Sequence, residues 1–405
     1  MKKCISFIVL NLIVILLFSS SVMAEPEIAA ESAVLMDAET GKILWGKNET
    51  EQRAPASITK LVTALVAIEK GNLQDEVIIS PEAVKTSGSI VWLRAEETQT
   101  LENLLYATML NSGNDAALAI AYHIGGSVES FAEMMNEKVK DLGANSTNFM
   151  NPNGLPAEGH YSTAYDVALI MKEALADPVL KEILATKTRE WNGTDWQSQL
   201  VNLNQLLWQY EGSLGGKTGY TSEAGRCLVT AAERDGMKFI SVVLGSTSQR
   251  IWSDSTRVLD YGYDNFHKLK LVDKDDEILQ IEMGGTAVPV LSEQAVEYLT
   301  NKNSDIIPTW KIKMQNLDLP LEMGEVIGNL QFVYGEEVIE SIPLVAGTNV
   351  KRPTTWVDVY VKITLILLGL VVIALLLKVL IMLRKRRSKY MNKVSKPRYG
   401  SSRMY

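Results

Sequence analysis

Three observations predict an α+β fold for the 405-residue chain. Strand patterning occupies both ends of the first 264 residues, and a long stretch of helical periodicity lies between them. Short strands separated by glycines and charged turns fill residues 265–350. A 21-residue apolar run, Ile363–Leu383, follows. Together they predict one antiparallel sheet assembled from both ends of the first domain and packed on a helical cluster. A small all-β domain and a C-terminal transmembrane helix complete the chain. With 22% charged and 46% hydrophobic residues, the composition excludes a disordered or collagen-like chain.

The elements follow in order. Lys2 and Lys3 precede the apolar stretch Ile5–Phe18, and small residues lead to Val22-Met23-Ala24. That order predicts a secretory signal peptide over 1–24, cleaved after Ala24, with an uncleaved anchor as the alternative. Cys4 would leave with it, so the mature chain keeps Cys227 and no disulfide framework. Ala33–Met36 and Lys42–Trp45 flank a turn at Ala38–Gly41 and predict a hairpin. From Ser57 to about Leu184 apolar residues recur three and four apart, as in Leu61, Val62, Ala64, Leu65 and Ile68. Strands return after Leu214, where Arg226–Ala232 and Lys238–Leu244 flank Asp235-Gly236, a two-residue hairpin signal. This first domain covers 25–264. Five short strands are predicted in 265–350: Glu277–Glu282, Ala287–Leu291, Thr309–Met314, Val326–Tyr334 and Val338–Leu344.

A linker over 351–362 leads to the apolar run 363–383, which at 1.5 Å per residue spans about 31 Å and matches a bilayer core. Lys378 interrupts it near the end, where it can snorkel. The basic tail 384–405 opens with Arg384, Lys385, Arg386, Arg387 and Lys389. By the positive-inside rule that places the C-terminus in the cytoplasm and the body of a single-pass protein outside the cell membrane. Residues 25–355 carry 47 acidic against 27 basic side chains. So acidic a surface repels phosphate backbones, and no nucleic-acid partner is expected. His123, His160, His267 and two cysteines cannot build a conventional zinc site, so no metal is expected.

Three short motifs carry the chemistry. Ser57-Ile58-Thr59-Lys60 opens a helical run, so Ser57 and Lys60 share a face about one turn apart. A serine hydroxyl needs a neighbouring base, and lysine can serve if burial or another cation keeps it neutral. Alone the motif is weak, because about one Ser-x-x-Lys arises by chance in a chain this long, and an N-cap serine is the structural alternative. Ser112-Gly113-Asn114 lets a hydroxyl and an amide project from one turn. Ser146-Thr147-Asn148 fits that pattern too, with a capping role in a Gly/Asn-rich loop. Lys217-Thr218-Gly219 follows Gly215-Gly216 on a predicted strand. There a cation beside a hydroxyl seats a carboxylate, and the bare glycine admits a peptide along the strand edge.

In this order the motifs resemble those of the penicillin-binding proteins and serine β-lactamases. The chain is more specifically similar to the low-molecular-weight D-alanyl-D-alanine carboxypeptidases. The supporting stretches are Asn151–Leu155, His160–Ala168, Lys217–Leu228 and Leu259–Tyr263. The likeness covers about 28–265 strongly, and the β-domain only in position and length. It implies a β-lactamase/transpeptidase-like catalytic domain. Asn153 stands where the family often has histidine, so no histidine role carries over. A spanning helix also replaces the family's frequent amphipathic one.

The resemblance implies Ser57 as nucleophile, Lys60 as its base and Ser112 as proton relay. It implies Asn114 as a contact to the substrate amide, and Lys217 and Thr218 as the carboxylate seat, Lys217 also keeping Lys60 neutral. Gly219 belongs to the same substrate-binding strand, and the backbone N–H groups of Ser57 and Tyr220 form an oxyanion hole. Arg250 is either a second carboxylate contact or a surface ion pair. His160 and Asp166 read as loop supports and Cys227 as a core residue. The implied reaction removes the terminal D-alanine from peptidoglycan stem peptides through an acyl-enzyme, without a cofactor, and β-lactam antibiotics would acylate Ser57. Two alternatives remain open: a membrane-tethered β-lactamase, with Glu158 the nearby loop carboxylate, and a non-catalytic wall-binding or sensor module.

Overall fold

The computed structural model describes residues 25–304 and 307–394. The expected signal peptide and residues 395–405 of the basic tail lie outside the described residues. The described residues fall into two compact units, 25–269 with 298–304, and 270–297 with 307–394.

In the first unit Ser32–Asp37 turns back into Ile43–Lys47, as the hairpin pattern predicts. Ser32–Asp37 also pairs with Met237–Ser246, which comes some 200 residues later in the chain. Gly225–Arg234 and then Ser213–Thr221 complete a five-stranded sheet, antiparallel at every junction. Asp235 and Gly236 both have positive φ, 50° and 73°, the backbone of a type I′ turn whose twist suits a tight hairpin. Both faces of this sheet are covered, so its inner strands alternate between two cores. Val34, Met36, Val229, Ala231, Ile240 and Val242 face the helical cluster. Ala33, Leu35, Leu228, Ala232, Phe239 and Val243 face the helix Ile251–Asn265. Period-two alternation with both sides apolar explains why these strands read as almost unbroken hydrophobic runs.

The helix Lys60–Lys70 is the hub of the cluster, since every residue from Lys60 to Ala67 is buried. Around it pack Leu101–Leu110, Asn114–Gly125, Val128–Asp141, Ala164–Ala176 and Pro178–Ala185. Local chemistry starts four of these helices. Thr100, Ser127, Thr163 and Asp177 each accept a backbone N–H of the first turn, and Pro178 follows Asp177. Such a cap stabilises a helix by about 1 kcal/mol. Two hairpins interrupt the predicted helical stretch and its sequel: Glu76–Ile78 with Thr98–Thr100, and Thr188–Asn192 with Gln197–Val201. They escape the apolar pattern because they bury little. In the second pair only Trp191 and Leu200 are buried.

The second unit is built on another antiparallel five-stranded sheet. Its order is Glu277–Met283, Thr286–Ser292, Glu337–Ala346, Val326–Tyr334, Thr309–Met314. These are the five expected strands, each within about a residue or two. Val288, Val290, Leu330, Phe332, Ile342 and Leu344 form its core. Two strands not expected, Phe266–Val272 and Val296–Asn301, pair with each other. Beyond residue 355 one continuous helix, Trp356–Val394, extends past both ends of the 363–383 run. Over Trp356–Met391 it is long and apolar enough to cross a membrane, and none of its most apolar window is buried.

Candidate active site

The first motif spans a change of helix type. Ser57 lies in a single 3-10 turn, Ala56–Thr59, that feeds the helix Lys60–Lys70. Ala56 has a φ of +48°, a left-handed backbone that L residues seldom adopt. Gly154, itself at φ +79°, packs so closely on this turn that a Cβ there would meet Ala56 O at 2.0 Å. Gly219 lies on its other side, where a Cβ would sit 3.1 Å from Ser57 N.

Lys60 is fully buried. Its Nζ lies 2.9 Å from Ser57 Oγ, 2.7 Å from Asn114 Oδ1 and 2.6 Å from the Asn153 carbonyl. Burial holds this amine well below the usual lysine range. Lys217 pushes it further down, and Asp115 acts in the opposite direction. Two of the three neighbours are carbonyl oxygens that can only accept. A neutral amine with its two N–H groups on them turns its lone pair towards the Ser57 hydroxyl. That is the geometry of a base.

Ser112 has a φ of +60° and closes the turn before the helix Asn114–Gly125. Asn114 is a staple: Oδ1 accepts from Lys60, Nδ2 donates to Ser87 O at 2.6 Å, and its backbone N–H donates to Ser89 O at 2.7 Å. Its amide keeps one N–H for a ligand. The buried carboxylate of Asp115 accepts from the backbone N–H groups of Val91, Leu93 and Ala116, clamping the loop that follows Ser87–Ser89. Burial raises its pKa and these donors lower it, with burial the larger cause.

Lys217 lies on Ser213–Thr221, an edge strand of the sheet. Its Nζ donates to Ser112 Oγ at 3.0 Å and Thr218 O at 3.1 Å, and burial lowers its pKa to about 7. All three motifs therefore meet at one cleft of about 300 Å³, whose lining includes Ser57, Ser112, Asn114, Thr218, Gly219 and Tyr220.

The remaining sequence candidates are placed as follows. Arg250 precedes the helix Ile251–Asn265 with Nε 3.7 Å from Asp254 Oδ1, outside the lining of the cleft. That contact is longer than a hydrogen bond, and the buried Nε has no hydrogen-bond partner among the described residues. His160 lies behind the nucleophile's turn. Nδ1 accepts from Met150 N at 3.1 Å, so Nε2–H faces Thr59 Oγ1 at 2.9 Å, and Thr59 in turn donates to Ala56 O. Burial lowers the His160 pKa to about 4, keeping the ring neutral. Asp166 accepts from Ser146 N and Thr147 Oγ1 and supports the same loop. Cys227 is buried, and burial pushes its thiol up to about 11. Glu158 is exposed and does not line the cleft.

Sequence reasoning missed the Asn153 carbonyl on Lys60, the Ser87–Ser89 wall, Leu155, Leu203 and Arg226 of the cleft lining. Arg226 had a signal: a hairpin turning at Gly225 places it directly across from Tyr220.

Residues 19–248 match the family model described as D-alanyl-D-alanine carboxypeptidase, peptidase S11. Residues 266–352 match that of the penicillin-binding protein 5 C-terminal domain. The D-alanyl-D-alanine carboxypeptidase DacF of Bacillus subtilis is 35% identical over 374 residues, covering 87% of this chain and 95% of that protein. DacC of Escherichia coli is 31% identical, covering 81% and 86%. Among solved structures, penicillin binding protein 5 from Haemophilus influenzae has a TM-score of 0.65 at 30% identity, covering 81% of this chain and 99% of that one.

Proposed function

The chain belongs to the D-alanyl-D-alanine carboxypeptidase family of serine peptidases, and from that membership we propose how its own residues perform the hydrolysis. Ser57 Oγ attacks the carbonyl between the two terminal D-alanines of a stem peptide as Lys60 Nζ takes its proton. Backbone N–H groups of Ser57 and Tyr220 hold the oxyanion, a contribution of about 3–4 kcal/mol per donor. Lys60 returns the proton to the leaving amine, with Ser112 as relay, and D-alanine departs. Water then attacks the acyl-Ser57 ester with Lys60 again as base, and the shortened peptide leaves. Side chains and water balance every step, so the reaction needs no cofactor.

Lys217 and Thr218 seat the terminal carboxylate. An anion arriving beside Lys217 favours its charged form, and that charge in turn keeps Lys60 neutral, coupling substrate entry to activation of the base. Asn114 and Gly219 border the bound peptide, which lies as an added strand on the free edge of Ser213–Thr221. β-Lactams enter the same cleft and acylate Ser57.

One observation carries this reading: Lys60 Nζ is held 2.9 Å from Ser57 Oγ, with its other neighbours two carbonyl oxygens. The test is labelling with a fluorescent penicillin together with D-alanine release from a D-Ala-D-Ala peptide. Wild type should do both and Ser57→Ala neither. Equal labelling of Ser57→Ala would overturn the nucleophile, and labelling without D-alanine release would favour a sensor or scaffold. A β-lactamase needs a carboxylate that positions water, and exposed Glu158 lies outside the cleft lining. The C-terminal helix fits a membrane anchor. The basic cluster after Leu383 supports a cytoplasmic C-terminus and an extracytoplasmic catalytic domain. Impermeant thiol reagents on whole cells should label an exposed cysteine introduced at Glu158 and spare one at Ser388; the reverse would invert the topology.

A further inference from the structure

The loop joining the strands Glu76–Ile78 and Thr98–Thr100 carries the Ser87–Ser89 wall and is long for a hairpin connection. Two adjacent residues of the helix Asn114–Gly125 hold it. Asn114 grips one end: its backbone N–H donates to Ser89 O and its Nδ2 to Ser87 O. Gly88, at φ +85°, lies so close that a Cβ would sit 3.0 Å from Asn114 Nδ2. Asp115 grips the other end. Its carboxylate, 2% exposed, accepts the backbone N–H groups of Val91 and Leu93 at 3.1 Å each. Trp92, between them, is thereby pinned at φ +57° with its indole exposed. A bulky residue at that angle is strained, and the paired bonds to Asp115 hold it there.

Asp115 also brings a charge towards the site. The N–H groups of Val91, Leu93 and Ala116 all point at its carboxylate, an arrangement that suits the ionised form. Cations of the loop are engaged elsewhere, Lys85 with Glu82 and Arg94 with Asp195. Burial and Lys217 both lower the pKa of Lys60, and Asp115 works the other way. Asn114 and Asn153 offer Lys60 only uncharged oxygens, and His160, behind Thr59, has its pKa lowered to about 4 by burial. A general base must accept a proton as well as lack one, and an amine depressed without a counterweight accepts poorly.

We propose that Asp115 is a positioning residue for acyl transfer at Ser57: its carboxylate fixes the loop that aims Asn114 and supplies a buried negative charge that steadies Lys60 once it has taken the proton. The proposal rests on Lys60 as the base for Ser57. Asp115 touches neither substrate nor nucleophile and acts through its neighbours.

The experiment follows D-alanine release from a D-Ala-D-Ala peptide against pH, with the full chain in detergent micelles. Asp115→Asn keeps the size, removes the charge and turns an NH2 group towards the loop's N–H donors. It should lower kcat/KM about 10-fold or more at pH 7 and move its acidic limb down by about 1 pH unit. Asp115→Glu keeps the charge on a longer arm, so it should lose rate with the limb closer to wild type. A loss of rate in Asp115→Asn with an unmoved limb would mark a merely structural residue and overturn the proposal. An unchanged rate, or a limb that climbs, would overturn it too. Hydrogen exchange in the wild-type chain tests the clamp whether or not a variant folds. The Val91 and Leu93 amides should exchange about 100-fold or more slowly than an unstructured loop, and free exchange there would overturn the clamp. Wild-type protein that releases no D-alanine would instead remove the acyl-transfer reading on which the proposal stands.

Discussion

Replacing Lys217 by methionine should strengthen the fold while disabling the site. The side chain is 1% exposed, and its ammonium meets only Ser112 Oγ and Thr218 O. Burial lowers its pKa from 10.5 to about 7. The folded value lies below the unfolded one, so between those limits the unfolded chain binds more protons and stability rises with pH. At 1.36 kcal/mol per unit the burdened amine costs about 4 kcal/mol at pH 7 and about 2 kcal/mol at pH 9. Methionine removes that cost at similar volume and forfeits two hydrogen bonds of about 1 kcal/mol each. The variant should therefore be about 2 kcal/mol more stable at pH 7 and close to wild type at pH 9. The readout is the thermal transition of the catalytic unit, followed in the full chain. Lys217→Met should melt about 4–8 °C higher at pH 7, while D-alanine release falls about 100-fold or more. Loss of the neighbouring cation should also let Lys60 hold its proton longer, moving the acidic limb of residual acylation to higher pH. A variant that melts below wild type at pH 7, or a gap that stays constant from pH 7 to 9, would refute this account of the buried lysine.

Asn114→Asp would put a carboxylate where an amide oxygen now lies 2.7 Å from Lys60 Nζ. The acidic limb of kcat/KM should climb by about 1–3 pH units, and an unmoved limb would exclude Lys60 as the titrating base. His160, with its pKa lowered to about 4 by burial, is neutral in the fold while the unfolded chain protonates near 6.5. Stability should drain away as pH falls between those values, by about 2–3 kcal/mol at pH 4.5; His160→Gln should lack that component in urea titrations. Gly154→Ala would drive a Cβ to 2.0 Å from Ala56 O at a left-handed φ. We expect about 3 kcal/mol or more of destabilisation and slower penicillin acylation, and a neutral result would show that the nucleophile's turn tolerates displacement.

Much of this was legible because it is local. Asp235-Gly236 and the five strands of the second unit each declare themselves within a few residues. The hairpin Thr188–Val201 did not, because a pair of strands with one buried side chain each leaves almost no alternation to read. Arg226 shows the opposite limit: its place in the cleft lining, with its guanidinium over Tyr220 and its Nε on Ser248, appears only in the fold.

By itself the sequence determined the three motifs and the secondary structure that carries each, since spacing of three on a helix or alternation on a strand sets which side chains share a face. It could not lower the pKa of Lys60. That comes from removing water and bringing Lys217 close, while the Asn153 and Asn114 oxygens lie within hydrogen-bond reach of the amine. Those groups lie between 54 and 157 positions away along the chain, so only tertiary packing could bring them around one amine.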